Sequence, residues 1–93
     1  GVLQDYQQAA SWIARAAMEG DPDGMLELGR LYREGVLLKR DPVLAYVWFN
    51  RAATALNMQA VRERDEISRQ LSPTELAEGQ RRSAEPVAAA SPQ

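Results

Sequence analysis

The sequence contains neither cysteine nor histidine among its 93 residues. Their absence excludes disulfides, thiol nucleophiles, zinc fingers and the Ser-His-Asp and Cys-His catalytic arrangements, because each of these needs a thiol or an imidazole. Long apolar runs are missing as well, and none approaches the roughly 20 residues that a membrane-spanning helix needs. A metal or glycosidase site built only from carboxylates remains open at this point.

The chain also lacks an excess of positive charge. Eleven lysines and arginines stand against thirteen aspartates and glutamates, which gives a net charge of −2. A nucleic-acid-binding domain is typically basic, so the sequence predicts no nucleic-acid partner. The absence of cysteine does not discriminate between the cytoplasm and a cysteine-poor periplasm, so both compartments stay open.

Capping signals divide the chain into five predicted helices, at about 5–19, 22–34, 42–56, 58–71 and 73–84. Predicted N-caps, three of them followed by a proline at the first helical position, are Asp5, Asp21, Asp41 and Ser72. Gln8 and Glu75 lie three residues after Asp5 and Ser72, which fits the capping box. Gly20, Gly35 and Asn57 are predicted to end helices in the left-handed conformation. Since no segment alternates with period two over a useful length, the predicted fold class is all-α.

Each of the first three predicted helices carries one apolar stripe at helical spacing. The stripes consist of Ala9, Trp12, Ile13, Ala16 and Ala17; of Met25, Leu28, Leu31 and Tyr32; and of Ala45, Trp48, Phe49, Ala52 and Leu56. Both tryptophans are therefore predicted to lie in the core. The stripe of the fourth helix is thinner, with Val61, Ile67 and Leu71. Polarity rises toward the C-terminus, as expected for the last element of a helical stack.

An internal repeat is present at an offset of 36 residues. Residues 5–20 aligned with 41–56 give six identities in sixteen positions, and Ile13 aligns with Phe49. The identities fall on the stripe, its small neighbours or the cap: Asp5/Asp41, Ala9/Ala45, Trp12/Trp48, Arg15/Arg51, Ala16/Ala52 and Ala17/Ala53. Repeats of this length are typical of helical solenoids.

These residues resemble a known family. The strings Leu28-Gly29-x-x-Tyr32-x-x-Gly35 and Ala45-Tyr46-x-Trp48-Phe49-x-x-Ala52-Ala53 are similar to the Sel-one-like repeat, a relative of the tetratricopeptide repeat, in its bacterial type. The resemblance covers about residues 5–85. It implies a helical repeat domain over 3–85, made of a partial repeat at 5–20, a full repeat at 21–56 and C-terminal capping helices at 57–85. Residues 86–93 are predicted to form a flexible tail rich in alanine and proline.

The resemblance implies an α/α superhelical solenoid that binds a partner protein or peptide without catalysis or cofactor, in a bacterial signalling, envelope or motility assembly. A second hypothesis is a capping or docking segment of a larger repeat protein that self-associates through its N-terminal edge. A hydrolase is the third, and the missing histidine and cysteine disfavour it. The periplasm or envelope and the cytoplasm remain alternatives.

The predicted partner-binding surface is the face of the second helix that points away from Leu28 and Tyr32, which the family architecture places in a concave groove. It comprises Asp23, Leu26, Arg30, Arg33 and Glu34 and, one repeat later, Arg62, Glu66 and Arg69. Such a surface suits a partner that bears carboxylates. The alternative is a solvated surface without a ligand, in which 62–69 forms pairs such as Arg62–Asp65 and Glu66–Arg69.

Overall fold

The chain folds into five α-helices. The computed structural model describes the backbone of residues 2–55 and 57–87, and the side chains from residue 5 onward within these ranges. The helices are α1 (Val2–Met18), α2 (Pro22–Glu34), α3 (Pro42–Thr54), α4 (Met58–Ser68) and α5 (Pro73–Ser83). Every regular element in the described part of the chain is a helix, which confirms the predicted all-α class. None of these helices is both long and apolar enough to cross a membrane.

Three of the helix starts were predictable from local capping chemistry. The carboxylate of Asp21 accepts a hydrogen bond from the Asp23 amide, and that of Asp41 accepts one from the Leu44 amide at 3.0 Å. Ser72 and Glu75 form the predicted capping box. Gly20 and Gly35 follow α1 and α2 with φ of 94° and 73°, which L-residues with a side chain rarely adopt. The helix boundaries therefore follow from side chains within a few residues of each end.

Two capping predictions were wrong. Asp5 is not an N-cap, because α1 begins three residues earlier and places it in the first turn. There its negative charge lies near the positive end of the helix dipole. Asn57 does not end α3 in the left-handed conformation. With φ of −83° it caps the start of α4 and accepts a hydrogen bond from the Ala60 amide at 3.1 Å.

The core of the fold is centred on α3, which packs against α2, α4 and α5. Trp48 and Phe49 are buried, as predicted, together with Val43, Ala45, Tyr46, Val47 and Ala52. Gly29 permits the close approach of α2, because a Cβ at this position would lie 2.6 Å from the Phe49 ring. The most complete burial thus falls on the helix in the middle of the stack.

Burial decreases toward both ends of the stack. In α4 the buried residues are Ala60 and Ile67, and in α5 only Gly79 is buried, while Val61 and Leu71 are half-buried. At the other end, Ala9 and Trp12 of the predicted α1 stripe are exposed. Leu56 and the tail beyond Val87 lie outside the described residues.

Candidate functional site

A cluster of four charged residues, the Glu63 cluster, connects α2 to α4. Glu63 accepts hydrogen bonds from Nε and Nη2 of Arg30, at 2.9 and 2.5 Å, and from Nη1 of Arg33 at 2.9 Å. The remaining nitrogen of Arg30, Nη1, pairs with Glu27 at 2.6 Å. Hydrogen bonding from Arg30 is the main reason why the pKa of the Glu63 carboxyl lies below its usual value, with Arg33 adding to the effect. The cluster holds two helices together through charged side chains that are only partly exposed.

The Glu63 cluster changes the interpretation of two predicted binding residues. Arg30 and Arg33 lie on the side of α2 that faces α4, and their guanidinium groups are paired with carboxylates of the chain itself. The guanidinium carbon of Arg33 also lies 5.6 Å from the centre of the Phe49 ring, and its Nη2 lies 3.7 Å from a carboxylate oxygen of Glu34. Because both guanidinium groups pair with Glu63, a charge reversal at either arginine would disrupt a contact between α2 and α4.

Glu63 was absent from the predicted site, although one sequence signal points to it. It lies 36 residues after Glu27, so it occupies the same position in the next repeat. A carboxylate repeated at this offset, with arginines three and six residues after the first copy, indicates a contact between successive first helices of the repeats. The predicted groove consists of other positions of α2 and their equivalents one repeat later, so it left out both Glu27 and Glu63.

Leu26 does not lie in the groove, which corrects another predicted site residue. It is 3% exposed and belongs to the core that also contains Ala60 and Ile67 of α4. Leu26 precedes Arg30 and Arg33 by about one and two helical turns, so all three lie on the side of α2 that faces α4. The short apolar side chain joins the core on this side, whereas the longer arginines reach across to Glu63.

The other predicted groove residues remain at the surface. Asp23 accepts a hydrogen bond from the Asn57 amide group at 2.9 Å, and Glu34 is exposed. Arg62 and Glu66 of α4 are exposed, as is Arg69, which caps the end of this helix, and in the described part of the chain none of the three forms an ion pair. The predicted Arg62–Asp65 and Glu66–Arg69 pairs are not formed; Asp65 pairs instead with Arg64, at 3.1 Å. The binding role of the groove stays a prediction.

The exposed aromatic surface lies on α1, where the sequence predicted a core. Trp12 is 66% exposed and Tyr6 is 58% exposed. The guanidinium carbon of Arg15 lies 5.2 Å from the centre of the Trp12 ring, which is the distance of a cation–π contact. We call the surface formed by Gln8, Ser11, Trp12 and Arg15 the α1 face. These four residues line a hollow of about 330 Å³.

A second hollow adjoins the α1 face and shares Ser11 with it. Its volume is about 310 Å³, and its lining is mostly apolar: Ala10 and Ala14 of α1, Leu28 and Tyr32 of α2, and Leu37 and Leu38 of the following loop. Burial raises the pKa of the Tyr32 phenol, and the nearby Asp41 carboxylate adds to the effect. The α1 face therefore combines an exposed indole, a cation and an adjoining apolar hollow.

The equivalent of the α1 face on α3 is covered at Val47, Trp48 and Arg51, and its fourth residue, Leu44, is half-buried. Trp48 is 2% exposed, and the guanidinium carbon of Arg51 lies 4.9 Å from the centre of its ring. Nη2 of Arg51 donates to the backbone carbonyl oxygens of Arg82 and Glu85, at 3.0 and 2.9 Å, where α5 ends. Burial lowers the pKa of the Arg51 guanidinium. Its Nη1 is buried and has no hydrogen-bond partner among the residues that the structure describes. The same sequence pattern thus occurs once covered by a helix end and once open.

The described residues contain no cluster of three or more acidic side chains able to hold a metal ion.

A comparison with family models matches the Sel1 repeat to residues 1–21 and 22–55. This is the Sel-one-like repeat that the sequence resembles. The two matched segments cover more than half of the chain, and their boundary falls between Asp21 and Pro22, at the start of α2. No curated protein matches the sequence.

Proposed function

The chain belongs to the Sel1 repeat family, and we propose that it is a scaffold that binds a partner protein through the α1 face. Sel1 repeats generally mediate protein–protein interaction, and the family is a non-catalytic interaction module. The observation that carries the proposal is the exposure of Trp12, at 66%, where the equivalent Trp48 is 2% exposed. An indole left open beside a cation is the type of side chain that anchors protein interfaces.

The surroundings of Trp12 support binding of a protein rather than a small molecule. The two adjoining hollows are open at the surface. Tyr6 and Val36, 58% and 83% exposed, line a third hollow that shares Leu37 with the second and so extends the apolar area. Exposed apolar patches bordered by polar side chains are typical of protein contacts. The bordering polar groups here include Gln8 and Ser11.

The charged groove is the second candidate surface. Arg62, Glu66 and Arg69 remain exposed and unpaired within the described ranges, which supports contacts with a partner of mixed charge. Fewer groove groups are available to a partner than the sequence suggested. Leu26 is buried in the core, and Arg30 and Arg33 pair with Glu63. We therefore rank the groove below the α1 face.

The finer assignment follows from the resemblance to bacterial adaptors. We propose a role in a bacterial signalling, envelope or motility assembly, with a protein or peptide partner. Self-association through the same N-terminal edge is the alternative, because the α1 face of a second copy offers the same exposed aromatics. Cross-linking distinguishes these two possibilities. Self-association would give an adduct of two copies of this chain, whereas a partner would give an adduct with a different protein.

Site-specific photocrosslinking tests the proposal. A photoreactive residue is placed at Ser11 on the α1 face, at Glu66 in the groove, and at exposed Glu78 on α5 as the control. The three proteins are irradiated in cells of the source organism, and the adducts are identified by mass spectrometry. We expect a defined adduct from position 11 and none from position 78.

The partner found in this way is then purified and its affinity measured. Trp12→Ala should weaken binding at least about tenfold, as the loss of an interface anchor does. The matched control is Arg62→Ala with Arg69→Ala, which should leave the affinity unchanged. If adducts formed only at position 66 and binding depended on Arg62 and Arg69, the groove rather than the α1 face would be the binding surface. A homodimeric adduct would favour self-association.

A further inference from the structure

The contact between α3 and α5 shows what a Trp-x-x-Arg face of this chain binds. Arg51 lies between the Trp48 ring and the end of α5, with Nη2 donating to the carbonyl oxygens of Arg82 and Glu85. The last carbonyl groups of a helix lack partners within the helix and form the negative end of its dipole. A guanidinium is therefore a suitable cap for them. The pair on α3 binds the C-terminal end of a helix.

The α1 face repeats this pair 36 residues earlier without the helix end. Arg15 lies over Trp12 as Arg51 lies over Trp48, at 5.2 and 4.9 Å from the respective ring centres. Within the described residues the Arg15 side chain donates to no backbone carbonyl. Its guanidinium group borders the hollow of about 330 Å³ next to Trp12. In residues 2–55 and 57–87 the α1 face therefore has the positive charge and the indole but no carbonyl acceptors for Arg15.

The α1 and α3 copies of this pattern differ at a position that determines which side chain a bound helix must carry: α3 has Tyr46 where α1 has Ala10. Tyr46 of α3 packs on Gly79 of α5 so closely that a Cβ there would lie 2.6 Å from the ring. The equivalent position on α1 is Ala10, which lines the apolar hollow of about 310 Å³. A helix on α1 would therefore need a large apolar side chain where α5 has glycine. In α5 this position precedes the two capped carbonyls by three and six residues.

We infer that the α1 face binds the C-terminal end of a partner helix, with its last carbonyl groups on Arg15 and a large apolar side chain in the hollow beside Ala10. The inference rests on the proposed function and adds the chemistry of the partner. Charge complementarity favours this occupant, because a helix C-terminus is negative and Arg15 is a cation. The α5 helix of a second copy does not meet the requirement, since it carries Gly79 and is already bound to Arg51.

The probe for this inference is a fluorescein-labelled, helix-stapled peptide of residues 72–85 that carries Gly79→Leu and keeps a C-terminal carboxylate at Glu85. The unsubstituted peptide is the matched control. The leucine also prevents the probe from replacing α5 over Tyr46, because that site has no space for a Cβ. Fluorescence anisotropy with the full chain should show at least about tenfold tighter binding of the substituted peptide.

Two protein variants test the two halves of the inference. Ala10→Tyr should reverse the preference, so that the unsubstituted peptide binds more tightly. Arg15→Gln should weaken binding of the substituted peptide about tenfold or more, since it removes the positive charge from the hydrogen bonds to the carbonyl groups. Circular dichroism on both variants checks that the helices are retained.

Two outcomes would overturn the inference. The first is no detectable binding of the substituted peptide by the parent protein at about 1 mM, a concentration that would reveal even a weak contact. The second is equal affinity for the parent and Arg15→Gln. A cross-linked partner that depends on Trp12 but not on Arg15 would preserve the proposed function and reject the helix end. If the photoreactive residue at position 11 formed no adduct, in contrast, the proposed function itself would be rejected.

Discussion

Helices α1 and α3 contain the same residues in different surroundings. Both carry Trp, Arg and an Ala-Ala pair in one register, yet Trp12 is 66% exposed and Trp48 is 2% exposed. The helices packed against them account for the difference, because α3 packs on α2, α4 and α5, whereas the main packing contact of α1 is with α2. Helical periodicity predicts which side chains share one side of a helix. Burial depends on whether another helix covers that side.

The comparison is tested most strongly at its two tryptophans. Trp48→Ala should lower the free energy of unfolding by about 3–5 kcal/mol, because it leaves a cavity in the core. Trp12→Ala should change it by about 0.5 kcal/mol or less, as is usual for exposed positions. Urea denaturation followed by circular dichroism at 222 nm measures both. Equal losses for the two variants would show that α1 is covered in solution and would contradict the exposed α1 face.

Local chemistry made much of the fold predictable. The three aspartate and serine caps before proline, and the two glycines with positive φ, act through atoms within a few residues, so the sequence alone specifies them. The core of α3 was predictable for a different reason, since its stripe is long and strongly apolar. These features allowed the all-α class and the boundaries of α2 and α5 to be predicted closely.

The candidate site was predicted less well, because it depends on pairs of helices. The angular position of Leu26 on α2 suggested an outward direction, but α4 covers that side and buries the residue. The same one-helix reasoning treated Arg30 and Arg33 as available to a partner and left out Glu63. Trp12 was misassigned for the opposite reason, because a stripe shared with α3 does not guarantee a covering helix. Contacts between helices were the missing information in each case.

The second test compares the two arginines beside the tryptophans. Arg51→Ala should destabilise the chain by about 2–3 kcal/mol, because it removes two charge-assisted hydrogen bonds to the end of α5. Arg15→Ala should cost clearly less, since Arg15 donates to no described carbonyl. Urea denaturation measures the loss, and limited proteolysis near residue 80 reports whether α5 detaches. Equal stability of the two variants would mean that the Arg51 contacts do not hold α5.

The third test compares two glutamates at the same repeat offset. Glu63 pairs with Arg30 and Arg33 of α2, and its side chain is 16% exposed. The side chain of Glu27 is 47% exposed and, among the described residues, pairs only with Arg30. We expect Glu63→Ala to cost about 1–2 kcal/mol, because it removes charged hydrogen bonds and leaves two arginines without their shared carboxylate. Glu27→Ala should cost about 0.5 kcal/mol or less. Thermal melts at matched salt concentration measure both losses, and a reversed order would contradict the Glu63 cluster.

The smallest expected effect is the pH dependence that Glu63 gives to stability. Its folded pKa is lowered, chiefly by the hydrogen bond from Arg30, so its stabilising contribution is complete above the ordinary carboxyl value of about 4.3. The contribution is lost as the pH falls from that value through the lower folded pKa, because the unfolded chain then binds the proton more readily. Urea unfolding between about pH 7 and pH 3 should therefore show a shallower decrease for Glu63→Gln than for the parent. Glu27→Gln is the matched control and should follow the parent curve more closely. Parallel curves for the parent and Glu63→Gln would show that the arginine contacts do not persist in solution. Glu63 would then contribute no more to the pH dependence of stability than Glu27 does.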